Sequence, residues 1–556
     1  MKKLILLVLA HVWMITYALA YDFSAVTSSG QTLYYDILNS NDVSVTFPGS
    51  NQYEPYYGFL EPTGDLAIPS TVTNGGITYS VTLIDICTFF ACQDLASVTI
   101  PASVTYIDIE AFCYCTGLTS IIIPNSVTFI GESAFSYCDG LNFIEVSSGN
   151  TVYDSRDNCN AIIETATNTL IRGCINTIIP NSVTSIGEFA FEGCSSLVSI
   201  TIPDSVTRID NYAFQNCSNL TSISIPDFVT YIGDNAFSGC NSLSSVAIPD
   251  SVIYIGAWAF SYCYSLTSVT IPNSVTYIGS YAFCNCSSLT SITLSNSLTF
   301  IDYCVFQECT NLSSVTIPNS VTSIGHWAFY SCTSLTSLTI GNSVTSIREE
   351  AFEWCSALSE IICLASEAPE LEMGVFNYVP TSIPVYIPCE STLSYQSEWS
   401  YFNNFNEVFT YTLNVQSNDE TMGNAYITEM PTDCSSPIAV IQAVANNEYH
   451  FTHWSTGSTD NPLTLTVTSD TTIIAYFEAT STGIDEAFDL NTKVYVNNGQ
   501  IVVEGMEGED VMLYDITGRI LVTHHNVNNQ LRFNVVDPGV YFVKIGNHPA
   551  RKVAIM

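Results

Sequence analysis

A 23-residue pattern, seen complete in IPNSVTSIGEFAFEGCSSLVSIT from Ile179, recurs through the middle of the chain with almost no drift. With the proline as position 0, copies start at Pro101, Pro124, Pro180, Pro203, Pro226, Pro249, Pro272, Ser295, Pro318 and Gly341, and a degenerate first copy starts at Thr78. Eleven copies therefore occupy residues 78–363, each with Ile at position 6 (Ile84 to Ile347), Phe at position 11 (Phe89 to Phe352) and Leu at position 17 (Leu95 to Leu358). One period is too short to bury its own apolar face. Stacked copies bury it continuously, so the pattern dictates a solenoid in which each period is one coil.

The segment LxxIxI alternates as a short strand does, and the proline that follows cannot donate to a sheet ladder, so a strand ends there in each coil. Stacking then gives a parallel sheet on one face, one strand per coil. The IGxxAFxxC half spaces its apolar residues three and four apart, which predicts a short helical turn on the opposite side. These residues resemble the BspA-like class of leucine-rich repeats, whose signature IPxSVTxIGxxAFxxCxxLxxIxI they reproduce. Where the general repeat consensus has Asn this chain has Ser, as at Ser182 and Ser274, which makes a similar but weaker bond to backbone. The expected fold class is mainly β: a leucine-rich repeat solenoid followed by two small β domains.

Between Val146 and Pro180 the period breaks, and an insertion at 147–179 carries NAIIETATNTLI, which reads as two strands about a turn. Asp154, Asp157, Asn158 and Asn160 lack the ligand spacing of an EF-hand loop and read as a hydrogen-bonded turn. Residues 21–77 alternate in QTLYYDIL and GITYSVT and are expected to form an N-terminal β cap. Solenoid ends need polar covers, and residues 364–409, with VPTSIPVYIPCESTLSYQSEWSYF from Val379, supply the other.

Residues 410–478 hold alternating segments around Trp454 and resemble the InlB-type B-repeat of bacterial surface proteins. His450 and His453 form an HxxH, but strand spacing puts them on opposite faces, so no shared metal is expected. Past a linker at 479–492, residues 493–556 offer KVYVNNGQIVVEG, DVMLYDITGRILVT, LRFNVV, PGVYFVKIG and ARKVAIM, a set that predicts a small Ig-like β-sandwich. LYDITGR, GVYFVKIG and RKVAI are similar to the type IX secretion C-terminal sorting domain of Bacteroidetes. The resemblance implies that Gly539, Tyr541, Lys544, Arg551 and Lys552 belong to the sorting motif, that the type IX secretion machinery is a partner, and that the domain is removed after crossing the outer membrane. At the other end Lys2 and Lys3, the run Leu4 to Leu9 and Ala18-Leu19-Ala20 predict a signal peptide over residues 1–20, cleaved after Ala20. No later segment approaches the ~18 uninterrupted apolar residues of a membrane span.

Cysteine stands at position 14 of all eleven coils, from Cys92, Cys115 and Cys138 through Cys194 to Cys355. Parallel stacked side chains seldom offer the torsion a disulfide needs, and eleven is odd, so the row is expected as buried thiols. Of the other cysteines, Cys159 with Cys174 and Cys363 with Cys389 are the expected disulfide candidates, because an exported chain meets oxidants.

The chain carries 52 acidic and 12 basic side chains, a formal charge of −40, which makes nucleic acid and anionic membranes poor partners, so no nucleic acid is expected. Between residues 21 and 482 the only basic residues are Arg156, Arg172, Arg208 and Arg348. There is no GxSxG elbow, no HExxH, no phosphate-binding glycine loop and no CxxC pair. The outward strand positions 18, 19 and 21 are mostly Thr or Ser, and their only carboxylates, Glu145 and Glu360, lie far apart along the stack. No acid–base pair, cofactor or metal site is expected on that face.

What the surface does offer is a row of rings at position 5, Tyr231, Tyr254, Tyr277 and Phe300, with Tyr106 and Phe129 upstream. Flat rings rimmed by hydroxyls suit contact with protein or glycan, which makes these four the candidate binding residues; the alternative is that stacked rings only cover one another. A second row at position 9, including Tyr212, Trp258, Tyr281 and Trp327, is expected on the convex side. The expectation is a non-enzymatic cell-surface or secreted binding protein. The family resemblance implies an adhesin recognising host matrix or bacterial surface macromolecules, the alternative being a surface glycan-binding or carbohydrate-processing component.

Overall fold

The computed structural model describes residues 21–480 apart from 432, 433 and 436, and residues 492–555 apart from 535–537, 548 and 549. The expected cleavage site at Ala20 and most of the 479–492 linker lie outside the described residues. The protein is mainly β, 38% strand and 2% helix, with a parallel β-solenoid of about 14 turns.

Every coil but the one starting at Pro180, whose LxxIxI segment holds only an isolated bridge at Thr201, contributes two strands rather than the single one expected. The LxxIxI segment gives a wide parallel ladder, in which Ser222 pairs with Ser245, Ser268 with Ser291 and Ser337 with Glu360. The shorter SVTxI run also alternates, and its two-residue strands Tyr231–Ile232, Tyr254–Ile255 and Tyr277–Ile278 form a second parallel ladder.

The third side of the coil is not helical, which corrects the expected helical turn. Positions 9 and 13 are left-handed, as at Tyr212 (φ 58°), Asn216 (φ 57°), Trp258 (φ 58°) and Tyr262 (φ 58°), and such residues interrupt a right-handed helix. The N–H groups of Tyr212, Phe214 and Asn216 point along the stack and donate to the carbonyls of Asp234, Ala236 and Ser238, each at 2.8 Å. Those of Ala213, Gln215 and Cys217 close turns inside their own coil. Alternate donors thus tie coil to coil and turn to turn, so the backbone is satisfied without a helix.

Inside, Val252, Ile255, Ala259, Phe260, Cys263 and Leu266 are all fully buried, and equivalent residues repeat along the stack. The position-11 rings lie face to face at 5.2–5.3 Å from Phe214 through Phe237 and Phe260 to Phe283. All eleven position-14 cysteines are free and buried. Each thiol from Cys240 to Cys286 donates to the phenylalanine carbonyl of the preceding coil, at 3.2, 3.3 and 3.2 Å. Burial pushes the Cys263 thiol up to about 12.

The disulfide among the described cysteines joins Cys389 to Cys434, and both expected pairings are corrected. Cys159 and Cys174 are free and pack into two different apolar clusters, while Cys363 is buried in the wide ladder beneath Tyr395.

The two ladders run on past the eleven copies. Gly64–Ala67 pairs in parallel with Leu95–Thr99, and Asp42–Thr46 with Ile77–Ile84. At the far end Val385–Pro388 and Phe405–Val408 extend the wide ladder, and the helix Thr392–Glu398 brings fully buried Tyr395, followed by Trp399, over the last core layer. Their polar tips are satisfied by the Ala365 and Pro369 carbonyls at 2.7 and 2.9 Å.

The insertion is a hairpin of Ala161–Glu164 and Thr169–Gly173, whose second strand takes a place in the second ladder by pairing with Ser185–Ile186. It divides the interior: Ile162 packs with the cluster before it, Ala161 and Ile163 with the cluster after it. Gly173 N–H takes the Ala190 carbonyl at 2.8 Å, and among the described residues the Ser133 and Phe135 N–H groups have no carbonyl on the next coil. Of these three backbone N–H groups, Tyr137 alone reaches a carbonyl across the break, that of Glu192 at 3.2 Å.

The chain divides into two compact units, the first reaching Thr412 and including Met430–Ala439 and Thr466–Thr471. The Cys389–Cys434 bridge lies within that first unit. In the second unit, Tyr449–Trp454 pairs antiparallel with residues 475–479, and Gly423–Glu429 with residues 440–445. Trp454 is fully buried and donates to the Asp460 carbonyl at 2.8 Å. The last five strands form one antiparallel sheet. Its long hairpin, Gln500–Tyr514 with Ile520–Asn534, is interrupted by bulges near Gly505 (φ 80°) and Gly508 (φ 75°). Both halves share one core, in which Ile501 and Val503 pack with Tyr541, Val543 and Val553.

Candidate binding faces of the repeat domain

The hydroxyls of the wide ladder are partly spent on the fold. At position 18, Thr221, Ser244, Thr267 and Thr290 each donate to the carbonyl of the same position one coil earlier, at 3.0–3.3 Å. Position 4 repeats the device through Thr207 and Thr322, at 3.3 and 3.0 Å. At position 2, Ser126, Ser205 and Ser251 bond to backbone at 2.6–2.7 Å, as expected of a serine standing for asparagine, whereas the buried Ser103, Ser274 and Ser320 hydroxyls lack a partner. Positions 19 and 21, such as Ser268 and Thr270, remain exposed on either side of a buried apolar residue. Glu145 and Glu360 stand apart on this face, and Glu360 accepts from Ser337 at 2.9 Å.

The position-5 row lies on the second ladder, away from those strands. Tyr231, Tyr254 and Tyr277 stack face to face at 5.0 and 5.1 Å, while Phe300 turns edge-on at 65° and is 39% exposed. The Arg208 guanidinium covers the free face of Tyr231 at 4.2 Å, held there by Asp210 at 2.9 Å. Tyr277 donates to Asp302 at 3.2 Å. Burial, then the Asp234 carboxylate, pushes the Tyr254 phenol up to about 12. The three tyrosines therefore present ring edges and hydroxyls, not ring faces. Upstream, Tyr106 and Phe129 stack at 4.2 Å. Position 9 stacks too, with Trp258 over Tyr281 at 3.9 Å, on the left-handed turns of the third side.

The remaining arginines are also engaged: Arg156 with Asp154 at 2.9 Å, Arg348 with Glu372, and buried Arg172 with the Phe189 and Glu192 carbonyls at 3.2 and 3.1 Å. Beside Arg172, where the insertion breaks the ladder, lies a cleft of about 310 Å³ lined by Gly131, Ser133, Phe135, Glu188 and Phe189. Burial raises the Glu192 carboxyl next to it, and Ser133 donates to that carboxylate at 3.0 Å.

His450 and His453 gather no ligand set. A bulge separates Phe451 from His453, whose ring stacks on Tyr476 at 4.7 Å, and the described residues hold no group of three or more metal-ligating side chains. In the last sheet Gly539 opens a strand, Tyr541 is buried opposite Val553, Lys544 is half-buried, and Arg551 donates to the Thr492 carbonyl at 3.2 Å beside exposed Lys552.

Two surface residues escaped the reading from sequence. Phe228 is 62% exposed and Ile253 is 52% exposed, each at a position where the other copies carry a hydroxyl. The signal was present as a single departure from the repeat, visible only once that position is known to face solvent.

The chain is similar to several known repeat proteins. A leucine rich cell surface protein from Faecalibacterium prausnitzii is 29% identical, over 62% of this chain and 95% of its own, with a TM-score of 0.39. A leucine-rich repeat protein from Bacteroides ovatus is 23% identical, over 70% of this chain and 100% of its own, with a TM-score of 0.30. The pneumococcal vaccine antigen PcpA is 16% identical, over 70% of this chain and 99% of its own, with a TM-score of 0.38. No curated protein matches. The family model for the BspA type leucine rich repeat region (6 copies) matches residues 70–169, 172–290 and 276–406, over half of the sequence. The chain belongs to the BspA-type leucine-rich repeat family.

Proposed function

We propose that this chain is an exported, non-enzymatic binding protein of the cell surface or the medium, an adhesin whose repeat domain holds host matrix or bacterial surface macromolecules. The observation that carries the reading is the build of the repeat. Each coil is filled by its own residues, in most coils Val, Ile, Ala, Phe, Cys and Leu, and what the stack offers outward is a long array of hydroxyls and ring edges. Extended arrays of this kind suit large partners better than small substrates. Tyr231, Tyr254, Tyr277 and Phe300 are the proposed contact row. A protein partner is favoured over a glycan because three of the four rings are stacked on one another, and a sugar needs a free ring face to pack against.

Delivery follows from the two ends. The first twenty residues lead the chain out of the cytoplasm, the last 65 or so act as a type IX sorting domain, and the InlB-like module between them and the repeats is a spacer. An epitope inserted after Glu478 should then appear on intact cells, and a chain ending before Gly483 should stay in the periplasm; surface display of the shortened chain would sink the sorting reading. For binding, the chain starting at Tyr21 is applied to an array of matrix proteins and polysaccharides. Saturable capture by proteins and not by polysaccharides is expected, and the reverse result transfers the reading to glycan binding.

A further inference from the structure

Repetition supplies an internal control for every surface position. In the ten copies from Pro101 to Gly341, position 2 is Ser nine times and Phe228 once, and position 4 is Thr nine times and Ile253 once. Position 1 is Asn or Ala in seven copies and Asp in three consecutive ones, at Asp204, Asp227 and Asp250. All these departures fall in adjacent coils at one corner. Phe228 ends the turn closed by Val229 N–H on the Pro226 carbonyl at 3.0 Å, and Ile253 sits over Thr230, to whose carbonyl its N–H donates at 3.0 Å.

Among the described residues, none of the departing side chains makes a hydrogen bond or ion pair that serves the fold. Ser205 and Ser251, on either side of Phe228, bond to the neighbouring backbone at 2.6 and 2.7 Å, and Phe228 forgoes that bond. Ile253 likewise forgoes the inter-coil bond that Thr207 makes at 3.3 Å. Both side chains are exposed, at 62% and 52%, so neither gains burial in return. Like charges stacked one rung, about 4.8 Å, apart repel. The nearest cation in sequence, Arg208, is already paired with Asp210 at 2.9 Å.

We propose that this corner is a docking surface for a cationic, amphipathic segment of a protein partner, its apolar side chains on Phe228, Ile253 and the edges of Tyr231 and Tyr254, its Lys or Arg groups on Asp204, Asp227 and Asp250. The inference rests on the binding role of the repeat domain and names the partner's chemistry. The unpaired carboxylates select a cationic segment, and the two apolar residues beside them select an amphipathic segment over a plain polycation.

The test reverts the corner to the repeat. In the full chain, Phe228→Ser with Ile253→Thr restores the common residues, and Asp204→Asn, Asp227→Asn and Asp250→Asn does the same for the acids. The probe is a short labelled peptide alternating Lys and Leu, with a Glu and Leu peptide as its counterpart, followed by fluorescence anisotropy at about 50 and about 500 mM salt. Wild type should bind the Lys and Leu peptide saturably and not its counterpart. Each reverted chain should bind at least about tenfold more weakly, a change of ~1.4 kcal/mol. The Asn variant should also lose most of the salt dependence, and both should melt no lower than wild type. Controls are Glu420→Gln with Glu429→Gln and Glu448→Gln, which remove three charges elsewhere, and Ile178→Ser with Val198→Thr, which remove exposed apolar area elsewhere. Equal binding by reverted and wild-type chains, or an equal loss in the controls, overturns the proposal. So does a large drop in melting temperature on reversion, which would make these residues structural. The array described above, repeated with the Phe228→Ser, Ile253→Thr chain, separates the two claims. Array hits that ignore the reversion leave an adhesin that binds elsewhere, whereas an empty array removes the adhesin reading itself.

Discussion

The thiol row makes stability depend on alkali in a way that can be worked out in advance. Cys263 is fully buried, and its thiol is held at about 12 against 9.0 for an exposed cysteine; Cys240 and Cys286 are pushed well above 9.0 by the same burial. The unfolded chain therefore releases these protons first. Their contribution to stability is complete below pH 9 and is lost as pH rises toward the folded value, at about 1.4 kcal/mol per pH unit for each thiol. Changing all three to Ala removes about 4 kcal/mol per pH unit from that slope. At neutral pH the same change costs roughly 1–2 kcal/mol per site, for a weak hydrogen bond at 3.2–3.3 Å and a small void. Wild type should start as the more stable chain, fall faster above pH 9 and meet the triple variant near about pH 10–11. Urea midpoints followed by tryptophan fluorescence, under reductant and at several pH values, measure this, provided the denaturant slope is unchanged. Tyrosines titrate in the same range but are common to both chains and drop out of the difference. Parallel decline of the two chains would refute the argument, because it would mean that the buried thiols carry no such shift.

Tyr254→Ser with Tyr277→Ser should weaken adhesion by more than about 2 kcal/mol if the row is a contact site; a far-UV spectrum unchanged from wild type and a melting midpoint only slightly lower should accompany it, since the inward residues are untouched. Gly256→Ala should cost about 1–3 kcal/mol in urea denaturation. An added Cβ there would stand 2.5 Å from the Asp234 backbone nitrogen of the preceding coil, which can yield only if the coils part. Alkylation of the denatured, unreduced chain followed by mass spectrometry should find Cys389 joined to Cys434 and Cys194, Cys217, Cys240, Cys263, Cys286 and Cys332 free; adjacent row cysteines bridged in most molecules would contradict the structure.

The repeat was legible because each inward residue recurs at one spacing, and Ile255, Phe260, Cys263 and Leu266 are buried as their spacing required. The third side was not. Apolar residues three and four apart suit a helix, and a left-handed residue such as Trp258 or Tyr281 carries no compositional mark, since bulky side chains usually avoid that conformation. The second ladder was hidden by its length of two residues, too short for alternation to register. Cys389 could not be matched to Cys434 from sequence, because bridge geometry depends on where a loop 45 residues further on returns. The aromatic row was legible as a row but not as a stack: spacing shows that Tyr231, Tyr254 and Tyr277 align, and only coordinates show that their faces are already taken.

The insertion at 147–179 leaves two apolar clusters that meet across Ala161–Glu164, with the coil-to-coil ladder beside them short of two bonds. In a stack where each coil leans only on its neighbours, cooperativity is a sum of contacts between adjacent coils, and it is weakest where such contacts are missing. Amide exchange should therefore separate into two blocks with a boundary near residue 150, each opening at its own free energy. A partner seated on the coils from Pro203 to Pro272 would slow exchange in the block beyond the boundary and leave the earlier block at its unbound rate.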